Sequence, residues 1–329
     1  MTRKATLLFI LIFVTLFHAA LSQVTGYSFT ASPGTYTSIT GGTLITLNGN
    51  GTDPVQDEGY ANNIPLGFTF NYLGANYNSI SASTNGFASF GTLVSAFFSN
   101  HLSSGVAARP LLAPLWEDLS LSADTGMKYL TTGAAGSRIF TLQWSNVLYD
   151  FGAGAAALSF QLRLHETINS IEFIYNQLPG AVQDFSGGAS IGITGPASGS
   201  GSFLSLDNSS ATPVASTTIA TNTIVTRPAT GQIYTFNPPV CVAPGNLNAT
   251  AITGTGATIS WTNGNATNFE YAVTTSAVPP ASGAATSFTT AFAGGLIPGT
   301  RYYLHVRKDC SGVMSGWASH SFTTSCDAA

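Results

Sequence analysis

The sequence predicts an all-β chain, a large jelly-roll-like antiparallel β-sandwich followed by a smaller sandwich, and three observations carry that prediction. Short segments alternate apolar and polar residues with a period of two, Gly, Pro, Asn and Ser punctuate them at close intervals, and no stretch supports a helix. Charge points the same way: Asp, Glu, Lys and Arg make up 7% of the residues, whereas the exposed faces of helical bundles and coiled coils are built from those types. The surface must instead be covered by Ser, Thr, Asn and Gly. Ten basic residues against fourteen acidic ones, a formal net charge of −4, leave no basic patch for phosphates and exclude nucleic acid as a partner.

The elements follow in order. Arg3 and Lys4, the apolar stretch Leu7 to Phe17 and the small-residue site Ala20-Leu21-Ser22 read as an export signal over residues 1–22, cleaved before Gln23 after passage through the Sec route. The stretch is too short for an anchor, and no later segment is long and apolar enough to span a bilayer, so no transmembrane segment is expected after cleavage. Ile64 to Tyr72 places Leu66, Phe68, Phe70 and Tyr72 on one face, and Ile139 to Val147 does the same with Phe140, Leu142 and Trp144. Both are half-buried strands by that alternation. Asn85-Gly86, between Ile80–Thr84 and Phe87–Phe90, predicts a hairpin with a type I′ turn, both of whose central residues need positive φ. A second hairpin spans Ser159 to Tyr175 with Glu166 to Asn169 as its loop, which sets Arg163 opposite Glu172 on the solvent face as a weak exposed pair. Gly195–Gly201 and the Thr/Ala/Ser-rich run Ser209–Thr223 read as an elaborated loop and a polar edge. Gly231–Phe236 is the last strand of a large domain covering residues 23–237. Asn237-Pro238-Pro239 stops the sheet, and residues 238–240 form a linker.

From Cys241 the pattern is more specific. Trp261 lies in Ala257–Thr262, Tyr271 follows in Phe269–Thr274, and Leu296-Ile297-Pro298-Gly299-Thr300-Arg301-Tyr302 leads into Tyr303–Arg307. Residues 241–325 resemble a fibronectin type III domain on these features, with Trp261 as its early-strand tryptophan and Leu296, Pro298, Gly299 and Tyr302 as its tyrosine corner. The resemblance implies that Tyr302, Leu304 and Val306 point into the core while Tyr303, His305 and Arg307 line the outer face. Lys308–Gly316 carries no Arg-Gly-Asp, so integrin-type binding is not implied.

The larger domain carries Pro65-Leu66-Gly67-Phe68-Thr69-Phe70, Tyr77, Ser83-Thr84-Asn85-Gly86-Phe87 and Ala113-Pro114-Leu115-Trp116-Glu117-Asp118-Leu119. On these residues it resembles an uncharacterised β-sandwich module found at the front of exported surface proteins of Gram-negative bacteria that use type IX secretion, often ahead of fibronectin type III repeats. That resemblance implies a secreted or cell-surface location and little about chemistry.

In the topology implied for residues 241–325, the first strand begins at the pole where the sixth ends, and the seventh ends at the opposite pole. Strands of about eight residues separate the poles by roughly 25 Å, against a limit of ~7 Å between bridged Cα atoms. Cys241–Cys310 is therefore the admissible disulfide. Cys326-Asp327-Ala328 follows a closing strand just as Cys241-Val242-Ala243 does, so residues 326–329 are expected to open a further repeat that continues past Ala329.

Catalytic motifs are weak. Gly188-Ala189-Ser190-Ile191-Gly192 has the spacing of a hydrolase elbow, but Ile193-Thr194-Gly195-Pro196 cannot start the helix that elbow needs. Gly152 to Ala157 is a glycine-rich loop followed by a strand, and His165-Glu166 lacks a second His four residues on. A glycosidase would need two facing carboxylates, whereas Glu117 and Asp118 are adjacent and would face opposite sides of a strand. No cofactor is expected except, at most, calcium, which takes about six to eight oxygens from acidic loops. Its candidate ligands are Asp53, Asp57 and Glu58 in one loop and Glu117, Asp118 and Asp124 bordering another.

The expected function is a non-enzymatic secreted or cell-surface binding or adhesion protein whose large sandwich engages an extracellular protein or glycan, with the second domain as spacer. The alternatives are the accessory front of a longer exported hydrolase and a glycan-binding or glycan-hydrolysing sandwich. A sugar-binding surface would present aromatic rings beside amides, with Trp116 and Tyr149 as the aromatic candidates.

Overall fold

The computed structural model describes residues 24–49, 54–122, 126–149, 152–182, 187–239, 241, 243–262, 268–310 and 314–326. The expected export signal over residues 1–22, Asp53 and Asp124, residue 240 of the expected linker, and residues 327–329 lie outside them. Apart from one 3-10 turn, Val24–Gly26, the named elements are all strands, and every paired strand runs antiparallel to its neighbours. Among the described residues no helix is long and apolar enough to cross a membrane.

Two sheets form the large sandwich. In the first, Ser28–Pro33, Gln232–Asn237, Ile171–Gln177, Leu158–His165, Ile139–Tyr149, Met127–Thr132 and Thr43–Leu44 pair in that order, and Leu119–Leu121 pairs with the C-terminal end of Ile139–Tyr149. In the second the order is Val214–Ser216, Phe203–Asp207, Ser190–Thr194, Leu111–Trp116, Phe87–Ser89, Ala75–Ser83 and Tyr60–Tyr72. The period-two alternation of each strand turns one set of side chains inward. Phe140, Leu142, Trp144, Phe160, Phe173 and Phe236 from one sheet meet Leu66, Phe70, Ile80, Leu115 and Ile193 from the other in a single core. A second, smaller apolar layer lies outside the second sheet, where the long segment 90–110 folds over Phe87, Leu111, Trp116 and Phe203 and contributes Leu93 and Leu102. Arg109 fastens that segment: its Nε donates to the carbonyl of Ser104 at 2.9 Å, and burial lowers its pKa to about 10.

Tyr60–Tyr72 would be a long open edge, the kind that invites pairing with another chain. Register slips between Ala61 and Ile64 and between Pro65 and Phe70 break it, with Asn63 and Gly67 at positive φ. Thr131 Oγ1 donates to the carbonyl of Leu66 at 2.8 Å, and the backbone N–H of Asn71 donates to Asn169 Oδ1 at 2.9 Å. Arg138 stands 5.6 Å from the Phe68 ring centroid and donates to the carbonyl of Gly67. The edge is thereby tied to the opposite sheet.

The carboxylate of Glu166 holds Arg138 in place at 2.5 Å. The Arg138 guanidinium, with the backbone N–H groups of Arg138 and Gly136, lowers the Glu166 pKa to about 2. A depressed carboxylate pKa contributes stability above its unfolded value near ~4.3 and loses it as pH falls through the folded value. We expect the Glu166 carboxyl carbon to titrate near pH 2 by NMR in the wild type and clearly higher in Arg138→Ala, where the two backbone N–H donors remain but the guanidinium is gone; an unshifted wild-type titration would refute the assignment.

Two hairpins differ from their sequence expectation in detail. Ser83 pairs with Phe87, so the first loop has three residues, and only Gly86 takes positive φ, +76°. Far from being an exposed tip, Thr84, Asn85 and Gly86 are buried. In the second hairpin Arg163 does pair in register with Glu172, but Glu172 reaches His165 Nε2 at 3.0 Å and Arg163 donates to Gln161 Oε1 at 2.8 Å.

The small sandwich has a three-stranded sheet, Gly245–Thr250, Gly256–Thr262 and Thr290–Gly294, and a four-stranded one, Ala284–Thr286, Asn268–Thr274, Arg301–Asp309 and Ala318–Thr323. Its core is compact: Ile259, Trp261, Phe269, Tyr302, Leu304, Val306 and Phe322 with two alanines. The Ile297 N–H donates to the Tyr302 hydroxyl at 3.0 Å, Gly299 takes φ +63°, Leu296 packs on the core, and Thr300 Oγ1 donates to the Pro298 carbonyl at 3.1 Å. Cys241 and Cys310 are joined, with Cα atoms 5.6 Å apart, while Cys326 is exposed and unbonded.

One outer-face expectation is corrected. His305 is fully buried, because the segment after Thr274 folds over it. Its Nε2 lies 3.1 Å from the Ser276 carbonyl and its Nδ1 2.7 Å from Ser319 Oγ. Beside it Arg307 lies 4.5 Å from the Trp317 ring centroid and donates to Glu270 at 2.6 Å.

Candidate functional site

The outer face of the first sheet carries the site. Strand register aligns Leu44, Lys128, Gln143 and Gln161 in one row across four strands. A chain segment, residues 34–42, crosses this row. The Ile39 N–H donates to Gln143 Oε1, and Gln161 Nε2 donates both to Gln143 Oε1 and to the Thr37 carbonyl, each at 2.8 Å. Beside this strap the strand Ile139–Tyr149 bulges. Leu158 pairs with Val147 but Phe160 with Trp144, so Ser145 and Asn146 together oppose Ser159. Asn146 takes φ +51°, which asparagine tolerates better than most residues, and its N–H donates to Ser159 Oγ at 2.9 Å. A bulge re-aims side chains that a regular pleat would alternate.

Strap and bulge together bound a groove of about 600 Å³. Its polar wall is Ser38, Gln56, Gln143, Ser145, Asn146 and Ser159, with Lys128 as its one cation. Its apolar wall is Leu44, Ile45, Leu47, Val55 and Leu121. The described lining has neither carboxylate nor aromatic ring. Such a surface can pair with amides and hydroxyls and bury aliphatic groups.

The two acidic loops meet elsewhere, around Asn85. Thr84 Oγ1 donates to the Gly59 carbonyl at 3.0 Å and also to that of Asp57. The Leu119 N–H donates to Asn85 Oδ1 at 2.9 Å and the Glu117 N–H to the Asn85 carbonyl at 3.3 Å. Asp57, Glu58, Glu117 and Asp118 are thus brought near one turn. Glu117 is buried and accepts from Asn100 Nδ2 at 3.2 Å. The expectation that Glu117 and Asp118 occupy a strand is corrected: they follow the end of Leu111–Trp116. Among the described residues no group of three or more His, Cys, Asp or Glu is placed to hold a metal ion.

Residues 26–238, more than half of the chain, match the family model described as NIDO related. The chain belongs to the NIDO-related family. Its groove and its acidic loops both lie within that domain. No curated protein matches the chain. Among solved structures, a two-domain fibronectin type III segment from chicken tenascin aligns over 60% of this chain and 98% of its own, at 14% identity and a TM-score of 0.24. The chicken CNTN1 FN1–FN3 domains align over 60% and 97%, at 10% identity and a TM-score of 0.24. A computationally redesigned β-sandwich protein aligns over 26% and 90%, at 22% identity and a TM-score of 0.23.

Several residues singled out in the NIDO-related domain turn out to hold the fold. Trp116 is buried with its Nε1 donating to the Phe97 carbonyl at 2.7 Å. Tyr149 is buried with its hydroxyl donating to the Ile224 carbonyl at 2.5 Å. Neither ring is presented to a sugar. Ser190 of the elbow-like motif is buried on a strand and donates to the Thr221 carbonyl at 3.1 Å. The groove residues themselves were missed by motif reading. The usable clue was Asn146 after an unbroken alternation, where the next inward residues, Val147 and Tyr149, are one position out of phase with Phe140, Leu142 and Trp144.

Proposed function

We propose that the chain is an exported binding protein in which the NIDO-related domain holds an extracellular ligand in the groove beside the Ser145–Asn146 bulge, with the fibronectin-like domain as spacer. The observation that carries this reading is the bulge itself, which turns consecutive polar side chains toward a groove of about 600 Å³. The reading is one of binding rather than catalysis: the described lining offers amides, hydroxyls and one ammonium group, whereas general acid–base chemistry needs a group that titrates near the working pH. An extracellular setting is supported by the Cys241–Cys310 bridge, since oxidising compartments preserve such bonds.

Asn146→Gly tests the assignment, because glycine accepts the positive φ of the bulge and deletes only the amide. We expect ligand captured by the wild-type chain from glycan and peptide arrays to be lost in Asn146→Gly and in the groove-filling Val55→Trp. Melting temperatures should stay within about 3 °C of wild type. Undiminished capture by both variants would remove the groove from consideration.

A further inference from the structure

The described arginines are fastened. Arg138 and Arg307 pair with Glu166 and Glu270, Arg109 and Arg227 donate to backbone carbonyls, Arg163 donates to Gln161, and Arg301 lies 5.9 Å from the Tyr303 ring centroid. Lys128 differs: it is the one cation among the described residues with no hydrogen bond, ion pair or aromatic contact, and it faces the groove. Its neighbours in the row are Leu44 on one side and Gln143 on the other. Gln143 Oε1 is occupied by the Ile39 N–H of the strap and by Gln161 Nε2 of the next strand.

We propose that the groove selects an extended peptide bearing a carboxylate side chain, and that the Lys128 ammonium binds that carboxylate; this rests on the reading of the groove as the ligand site. Charge complementarity decides for an acidic group, because a half-buried ammonium with no partner attracts an anion more strongly than one in open water. The walls decide for peptide over sugar. Leu44, Ile45, Leu47 and Val55 suit aliphatic side chains, and the amides of Gln56 and Asn146 offer both donors and acceptors to a peptide backbone, while the described lining presents no ring to stack on a pyranose. Among the described strands the sheet also ends at Thr43–Leu44 beside the groove, an edge to which an extended backbone can add.

The test screens the full chain against an array of random twelve-residue synthetic peptides and against polygalacturonate, with Lys128→Gln, Lys128→Glu and Lys128→Arg alongside and circular dichroism to confirm folding. The wild type should retain peptides sharing an Asp or Glu. Lys128→Gln should weaken them by about tenfold to a hundredfold, as expected for a hydrogen bond between charged groups. Lys128→Arg should keep the preference and Lys128→Glu should shift it to Lys or Arg. Identical peptide sets for wild type and Lys128→Glu would overturn the proposal while leaving the groove reading intact if Asn146→Gly still abolishes capture. Lys128-dependent retention of polygalacturonate without peptides would overturn the peptide assignment, and no capture of either probe would overturn both readings.

Discussion

Gly86→Ala should abolish cooperative folding of the large sandwich or destabilise it by more than about 4 kcal/mol, a range reached only when the mechanism is specific. A Cβ at Gly86 would lie 1.8 Å from the carbonyl oxygen of Leu115 and 2.8 Å from Leu119 Cδ1. Leu115 belongs to Leu111–Trp116, an interior strand of the second sheet, so that oxygen has nowhere to go. Moving the loop instead would break the 3.2 Å bond from the Leu115 N–H to the Gly86 carbonyl and the bonds that Asn85 accepts from Glu117 and Leu119. Gly136→Ala is the control: its φ is +90°, with nothing within 4 Å of the added atom, so it carries only the conformational cost, about 1–2 kcal/mol. Denaturant midpoints separate the two. Equal midpoints for both variants would show that the Asn85–Gly86 turn is not the rigid junction described.

Removing the disulfide, by Cys241→Ser with Cys310→Ser, should lower the melting temperature of the small sandwich by about 15–30 °C and leave the large one unchanged. The bridge closes a loop with a sequence separation of 69 residues, for which chain entropy gives about 4 kcal/mol. For a domain of this size each kcal/mol moves the midpoint by about 4–8 °C. The effect is large because the core has few members, Trp261, Tyr302 and Leu304 among them, and domains near this length hold only about 5–10 kcal/mol in reserve. Calorimetry of the full chain with and without reductant reads both transitions. A small-domain midpoint that ignores the substitution would mean the unfolded chain gains nothing by losing the cross-link.

The architecture was legible where side-chain chemistry is local. Leu66, Phe68 and Phe70 announce a half-buried strand by alternation alone, and the Pro298-Gly299 turn with Tyr302 is a short-range motif whose hydroxyl accepts from a backbone N–H five residues upstream. Contacts that depend on register across distant strands were not legible. Lys128 gains its meaning from Leu44 and Gln143 on either side, positions far apart in the chain. Asn85-Gly86 reads as a hairpin turn from its residue types alone, and nothing local announces that two other loops close over it. His305 has the phase of an outer-face residue, and a loop no periodicity describes buries it. The groove escaped notice for a simpler reason: serine, asparagine and glutamine are also what this chain uses for ordinary surface.

The Cys241–Cys310 bridge also governs how the protein answers a pull on its ends. Tension arriving at Cys241 crosses the sulfur atoms to Cys310 and bypasses the chain between them, which includes six of the seven strands of the small sandwich. At roughly 3.4 Å per extended residue, about 230 Å of contour length stays locked away while the bond is intact. Within the small sandwich, Ala318–Thr323 is then the one described strand that can be peeled. The small sandwich stays short under load while the bond is intact, and its reduction frees the strands inside the loop.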